Sequence, residues 1–176
     1  MRCFVTVGTT EFDELISTLD GGASSVRGAL VKLGCTHLTI QLGRGIHVPE
    51  QLLMECRSHG IACSHYRFKD TLAEDMLSAD LIISHCGAGS ILEAMQLQDK
   101  LLLLVVNPTL QGNHQTELAT AMTSGGYCLS CTPSTVLEQL NAISHKGLKS
   151  VKESLTPYPE SDLKAFPKMV DSLFRW

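Results

Sequence analysis

One stretch of this sequence combines residue types and spacing suited to chemistry: Leu81-Ile-Ile-Ser-His-Cys-Gly-Ala-Gly-Ser-Ile-Leu-Glu93. An apolar run ends in Ser84-His85, turns through Gly87-Ala88-Gly89 and opens into a helical pattern carrying Ser90 and Glu93. A strand feeding such a turn and a helix start aims backbone N–H groups, and the positive end of the helix dipole, at one spot. That spot suits a phosphate. Ser90-Ile-Leu-Glu93 also matches a capping box, in which Ser caps the helix and Glu reaches back to it. The other role open to Glu93 is to accept hydrogen bonds from a ribose, because a carboxylate offers two acceptor oxygens to a vicinal diol. His85 reads either as a neutral buried imidazole or as a donor to a diphosphate.

Two further clusters belong beside this one. Gly8-Thr9-Thr10 follows the first apolar run and offers a second set of backbone N–H groups and hydroxyls; two such turns favour a diphosphate over a single phosphate. Asn113-His114-Gln115 starts a helical segment, where Asn is a natural N-cap. Three consecutive polar side chains there equally suit the hydroxyls of a sugar. Other chemistries fit less well. Leu92 stands where a dinucleotide fingerprint needs its third Gly, and no Gly-Lys-Ser/Thr of an ATPase loop occurs. Cys128-Leu-Ser-Cys131 lies in an expected strand, where residues three apart point to opposite faces, so neither a redox pair nor a metal site is expected.

These turns need a scaffold. Expected strands at Cys3–Gly8, His37–Leu42, Ile61–Phe68, Asp80–Ser84, Leu101–Val106 and Tyr127–Cys131 alternate with helical patterns at Phe12–Leu19, Pro49–His59, Thr71–Ser78, Ser90–Gln96, Asn113–Thr123 and Ser134–Ile143. A short additional helix reaches about Leu33. Such alternation predicts an α/β fold: a single Rossmann-like, doubly wound parallel sheet with helices on both faces and ligands at the carboxyl ends of its strands. The expected organisation is a ligand-binding Rossmann-like domain over 1–145 (the nucleotide-sugar-binding domain of the resemblance given below), an exposed linker over 146–162 and an amphipathic helix over 163–176. That last helix carries Phe166, Val170, Leu173, Phe174 and Trp176, and would fold back on its own domain or anchor another subunit.

Composition narrows the classes. The chain has 176 residues, 44% hydrophobic and only 5% aromatic, and its formal charge of −4 argues against a nucleic-acid surface. No apolar run approaches the roughly 20 residues of a membrane span. The first segment is too short for a signal peptide, and seven cysteines, an odd number, suggest reduced thiols. A soluble cytoplasmic protein is expected.

Phe68-Lys-Asp-Thr-Leu-Ala-Glu-Asp-Met76, Ala79 to Glu93 and Asn113-His-Gln115, taken in order, resemble the nucleotide-sugar half of a GT-B glycosyltransferase, in the group of the bacterial lipid II-forming transferase. Phe4-Val-Thr-Val-Gly-Thr-Thr10 and Gln41-Leu-Gly-Arg-Gly45 sharpen the likeness. They resemble the family of eukaryotic catalytic subunits (glycosyltransferase family 28 C-terminal domain) that add the second GlcNAc to dolichol-diphosphate-GlcNAc in asparagine-linked glycosylation. The resemblance covers about residues 3–143.

The resemblance implies UDP-GlcNAc as donor, with no cofactor and no metal. Uracil would meet the backbone at Phe68 and Lys69, and ribose would meet Glu93. The diphosphate would lie at Gly8, Thr9 and Thr10 and at Gly87, Ala88, Gly89 and Ser90. Asn113, His114 and Gln115 would lie near the GlcNAc, and His85 and His114 are the local candidates for a catalytic base. A GT-B enzyme works between two such domains, and this length accommodates one. The implied partner is therefore a membrane-anchored subunit that binds the dolichol-linked acceptor and recruits this chain to the cytosolic face of the endoplasmic reticulum. Two competing expectations are a non-catalytic nucleotide-sugar-binding or regulatory module and a UDP-GlcNAc 2-epimerase-like enzyme. The latter uses this fold but needs two domains in one chain, so that length counts against it.

Overall fold

The computed structural model describes residues 1–97, 99–107 and 114–158. Six strands form one parallel sheet: β1 (Arg2–Thr6), β2 (His37–Gln41), β3 (Ala62–Tyr66), β4 (Leu81–His85), β5 (Leu101–Val105) and β6 (Leu129–Cys131). Their order is β3-β2-β1-β4-β5-β6, and every neighbouring pair is parallel. β5 is apolar throughout, and β1 and β4 carry the apolar stretches Cys3–Val5 and Leu81–Ile83, because both faces of these strands are covered.

Each face has its own core. Val5, Ile40, Ile83 and Leu103 point to one side, where they meet α1 (Asp13–Gly21), α2 (Ala23–Lys32), α3 (Glu50–Ser58) and α7 (Val136–Lys146). Phe4, Ile82, Leu102 and Leu104 point to the other, against α4 (Ala73–Ser78), α5 (Ala88–Met95) and α6 (His114–Ser124). The period-2 alternation of a strand makes this division: consecutive residues serve opposite cores. It also separates Cys128 from Cys131, one in each core, and all seven cysteines are free thiols.

The strand order reverses between β1 and β4. Chain leaving β1 crosses to one side of the sheet and chain leaving β4 to the other, so a crevice opens between their carboxyl ends. The expected exposed linker over 146–162 differs from what its described part shows. Gly147, at φ 83°, turns the chain out of α7 into a further helix, α8 (Leu148–Glu153), whose Val151 is buried in the first core. Beyond it the Thr156 N–H donates to the Gly126 carbonyl at 2.9 Å, and the Tyr158 ring packs edge-on against Tyr127. Lys149, Ser150, Glu153 and Ser154 are exposed as the lysines and serines suggested, while Val151 is buried and Leu148 and Leu155 are partly buried against the first core. The expected helix over 163–176 lies outside the described residues. Among the described residues, no helix is long and apolar enough to cross a membrane.

Candidate functional site

The crevice at the strand-order reversal is a cleft of about 370 Å³. It is lined by Gly8 and Thr9 after β1, Gln41 at the end of β2, Phe68 to Leu72 after β3, and His85, Gly87, Gly89, Ser90 and Glu93 after β4. Four strand ends thus contribute to one concavity, as the parallel arrangement requires.

Its floor is the start of α5. Gly87 is the N-cap residue, in extended conformation (φ −95°, ψ 131°), and no side chain caps the helix. The capping box expected at Ser90 therefore does not form: α5 begins two residues earlier than the sequence pattern suggests, which puts Ser90 inside the first turn. Glu93 is exposed to the cleft rather than bound back to the backbone. The first-turn amides of Ala88, Gly89 and Ser90 have no acceptor within an α-helix, so the turn presents donors and the positive end of the dipole. A Cβ on Gly89 would meet nothing within 4 Å, so this approach is open.

His85 stands between the two turns. Its side chain is 6% exposed, and its Nδ1 is buried without a hydrogen-bond partner. A Cβ on Gly8 would come within 2.9 Å of its Nε2, and a Cβ on Gly87 within 3.0 Å of its Cδ2. Both glycines are needed to seat the ring. Burial lowers its pKa to about 4, outweighing a hydrogen bond with the Thr6 backbone that acts in the opposite sense. The imidazole is neutral at physiological pH, with one ring nitrogen able to donate.

The Gly8 turn differs from the sequence expectation of a second bare anion cradle. The Gly8 N–H donates to Gln41 Oε1 at 2.9 Å, the Thr10 N–H to the Val7 carbonyl at 3.3 Å, and the Thr10 hydroxyl to that carbonyl at 2.8 Å. Those groups hold the turn together, and Thr9 is the exposed residue of the turn facing the cleft. Gln41 is the residue the sequence reading did not single out as functional. A Gln at 1% exposure in a strand whose neighbours are apolar is the signal that could have found it.

The β3–α4 loop forms the opposite wall. The Arg67 guanidinium donates to the Gly45 carbonyl, tying this loop to the one after β2. Lys69 Nζ pairs with Asp75 Oδ2 at 2.7 Å and lies 4.2 Å from the Tyr66 ring centroid, while the Tyr66 hydroxyl donates to the same carboxylate. Lys69 is thus held by α4, its charge already matched, and its backbone is the part left to meet a ligand. Phe68 is 53% exposed at the rim, next to Asp70 and Thr71.

Not every expected residue gathers here. His114 and Gln115 start α6, outside the cleft lining. Gln115 braces the β5 end by accepting from the Asn107 N–H at 3.0 Å, and its carbonyl accepts from the Cys86 thiol at 3.2 Å. Ala88 and Thr10 back the cleft without lining it. Asn113 lies outside the described residues. Among the described residues, no cluster of three or more His, Cys, Asp or Glu side chains is placed to hold a metal ion.

Known proteins resemble this chain over most of its length. The family model for the glycosyltransferase family 28 C-terminal domain matches residues 2–171. A mouse protein, UDP-N-acetylglucosamine transferase subunit ALG13, is 45% identical over 131 residues, covering 74% of this chain and 11% of that protein. The Saccharomyces cerevisiae protein of the same name is 29% identical over 163 residues, covering 92% of this chain and 72% of that protein. The chain thus spans about a tenth of its mouse relative's length and most of the yeast one's. A solution NMR structure of ALG13 superimposes with a TM-score of 0.67 at 24% identity, covering 99% of this chain and 97% of that one. The crystal structure of Acinetobacter baumannii MurG gives 0.58 at 18% identity, covering 98% of this chain and 49% of the other. Matched by that model over nearly its whole length, this chain belongs to the glycosyltransferase family 28 C-terminal domain family.

Proposed function

We propose that this chain binds UDP-GlcNAc and is the donor-binding catalytic subunit of a UDP-GlcNAc transferase, adding the second GlcNAc to GlcNAc-diphosphodolichol. The observation that carries this reading is the placement of Glu93 on the helix whose bare N-terminus, beside neutral His85, forms the cleft floor. An anion cradle and a diol-binding carboxylate on one helix match a ribose followed by a diphosphate. The names of the mouse and yeast relatives support the sugar and the reaction.

In this reading the uracil lies against the backbone at Phe68 and Lys69, and the Glu93 carboxylate accepts from the ribose hydroxyls. The first-turn amides of α5, Thr9 and a ring N–H of His85 hold the diphosphate. As the glycosidic bond breaks, negative charge grows on the leaving UDP. Fixed dipoles in a preformed cleft stabilise that charge without a metal and without reorganising. The acceptor hydroxyl attacks from the opposite face of the sugar, inverting the anomeric centre, and a base takes its proton. His85 has a pKa of about 4 and a buried Nδ1, and His114 is off the cleft, so the partner subunit supplies the better-matched base. That partner is membrane-anchored, holds the dolichol-linked acceptor and recruits this chain to the cytosolic face of the endoplasmic reticulum.

The test is to mix the purified chain with UDP-GlcNAc and a lipid-diphosphate-GlcNAc acceptor, with and without the membrane partner. Transfer is expected only with the partner. Donor binding with no transfer in either mixture would instead identify a nucleotide-sugar-binding module.

A further inference from the structure

Gln41 is fully enclosed, and every hydrogen-bonding position of its amide is used. Oε1 accepts from the Thr6 hydroxyl at 2.6 Å, the Val7 N–H at 3.1 Å and the Gly8 N–H at 2.9 Å. Nε2 donates to the Gly8 carbonyl at 2.6 Å and the Arg67 carbonyl at 2.7 Å. These partners settle the orientation of the amide, because a carbonyl cannot donate. One side chain therefore fixes both the N–H and the C=O of Gly8 and reaches across to the residue preceding Phe68.

Both ends of that bridge border the cleft. Gly8 packs against His85 on the phosphate side, and the Arg67 carbonyl begins the loop carrying Phe68 and Lys69. We infer that Gln41 is a positioning residue that sets the spacing between the nucleobase wall and the diphosphate turn, and so makes the site selective for a uridine joined to a diphosphate. This inference rests on the UDP-sugar reading above. The physical reason lies in the two donated hydrogen bonds: they tie two loops that share no strand pairing, since β1 and β3 are each paired to β2 but not to each other. Without that tie each wall can still meet its own part of the ligand, but the two are no longer in register. A ligand that spans both walls then loses affinity that a ligand touching one wall keeps.

Gln41→Glu and Gln41→Met are the paired variants. Glu keeps the size and the accepting oxygen but turns a second acceptor toward the Gly8 and Arg67 carbonyls and adds a negative charge to the cleft. Met removes the tie with no charge, so only a change shared by both counts as the positioning effect. Titration calorimetry on the full chain with UDP and with uridine, together with thermal denaturation, reads the effect. The expected result is a UDP dissociation constant raised about tenfold or more, with uridine affinity changed less than about twofold. Equal weakening of both ligands, or unchanged UDP affinity with a lowered melting temperature, would reduce Gln41 to a structural residue and overturn the inference. Should Gln41→Glu fail to fold, Thr6→Val removes one donor to Oε1 at nearly constant volume. It is expected to shift the UDP-to-uridine affinity ratio about threefold in the same direction, and an unchanged ratio would overturn the inference. Failure of the wild-type chain to bind UDP would count against the UDP-sugar reading itself, and is separable because no variant is involved.

Discussion

Gly8 and His85 fit each other as backbone and ring: any side chain on Gly8 would collide with the imidazole, 2.9 Å from its Nε2. Gly8 also holds φ at 62°, in the left-handed region where a Cβ is strained. The first turn of the chain and the end of β4 are thereby joined through one buried side chain.

Gly8→Ala is therefore expected to destabilise the fold by at least about 2 kcal/mol, combining backbone strain with a clash. Gly28→Ala is the control. Gly28 sits inside α2 with nothing within 4 Å of an added Cβ, so this change should stabilise by about 0.5–1 kcal/mol. Urea midpoints of the two variants should move in opposite directions from the wild type.

The burial of His85 makes stability depend on pH in a defined direction. The unfolded chain protonates this imidazole near its ordinary 6.5, whereas the folded chain protonates it only near about 4. Between those values the unfolded state holds a proton that the native state does not. Stability therefore rises with pH across that window and is lost as pH falls through it, by about 3 kcal/mol in total. Urea denaturation at pH 7 and at pH 4.5 should show a larger loss for the wild type than for His85→Gln, in which this group no longer titrates. Equal losses would mean that His85 is not buried in the neutral form.

Glu93 separates the binding role from a structural one. It is exposed and caps nothing, so Glu93→Ala should leave the melting temperature within about two degrees of the wild type. Loss of a carboxylate accepting two ribose hydroxyls should weaken UDP binding at least tenfold, as expected for hydrogen bonds to a charged group. Calorimetric titration with UDP and a thermal melt on the same sample check both halves. A variant that unfolds would restore a capping role for this residue.

Much of the architecture was legible in the chain. Apolar runs bounded by glycines and polar turns located the six strands seen among the described residues, and glycines marked the turns at Gly8, Gly43 and Gly87. Of the residues expected to bind phosphate, base and ribose, Gly8, Thr9, Phe68, Lys69, Gly87, Gly89, Ser90 and Glu93 line one cleft, because they follow strands of a parallel sheet whose carboxyl ends share an edge; Thr10 and Ala88 do not line it. Less legible were the features that a local pattern leaves open. The start of α5 is set by Gly87 rather than by the Ser90-to-Glu93 spacing, since a local capping pattern does not show where the strand before it ends. Helix α8 after Lys146 was also hidden by its polar composition: Val151 docks it on the first core while Lys149, Ser150 and Ser154 stay exposed.

Sequence alone determined the chemistry on offer: a glycine turn opening a helix, a carboxylate one turn along it, and strands to carry both. Tertiary structure decided which of those groups are free to act. It committed the Gly8 amide to Gln41, seated His85 between two glycines as a neutral ring, and matched the charge of Lys69 with Asp75. The reason is physical. Propensity and periodicity are local, whereas the hydrogen-bond satisfaction and desolvation that set a group's reactivity come from residues up to tens of positions away.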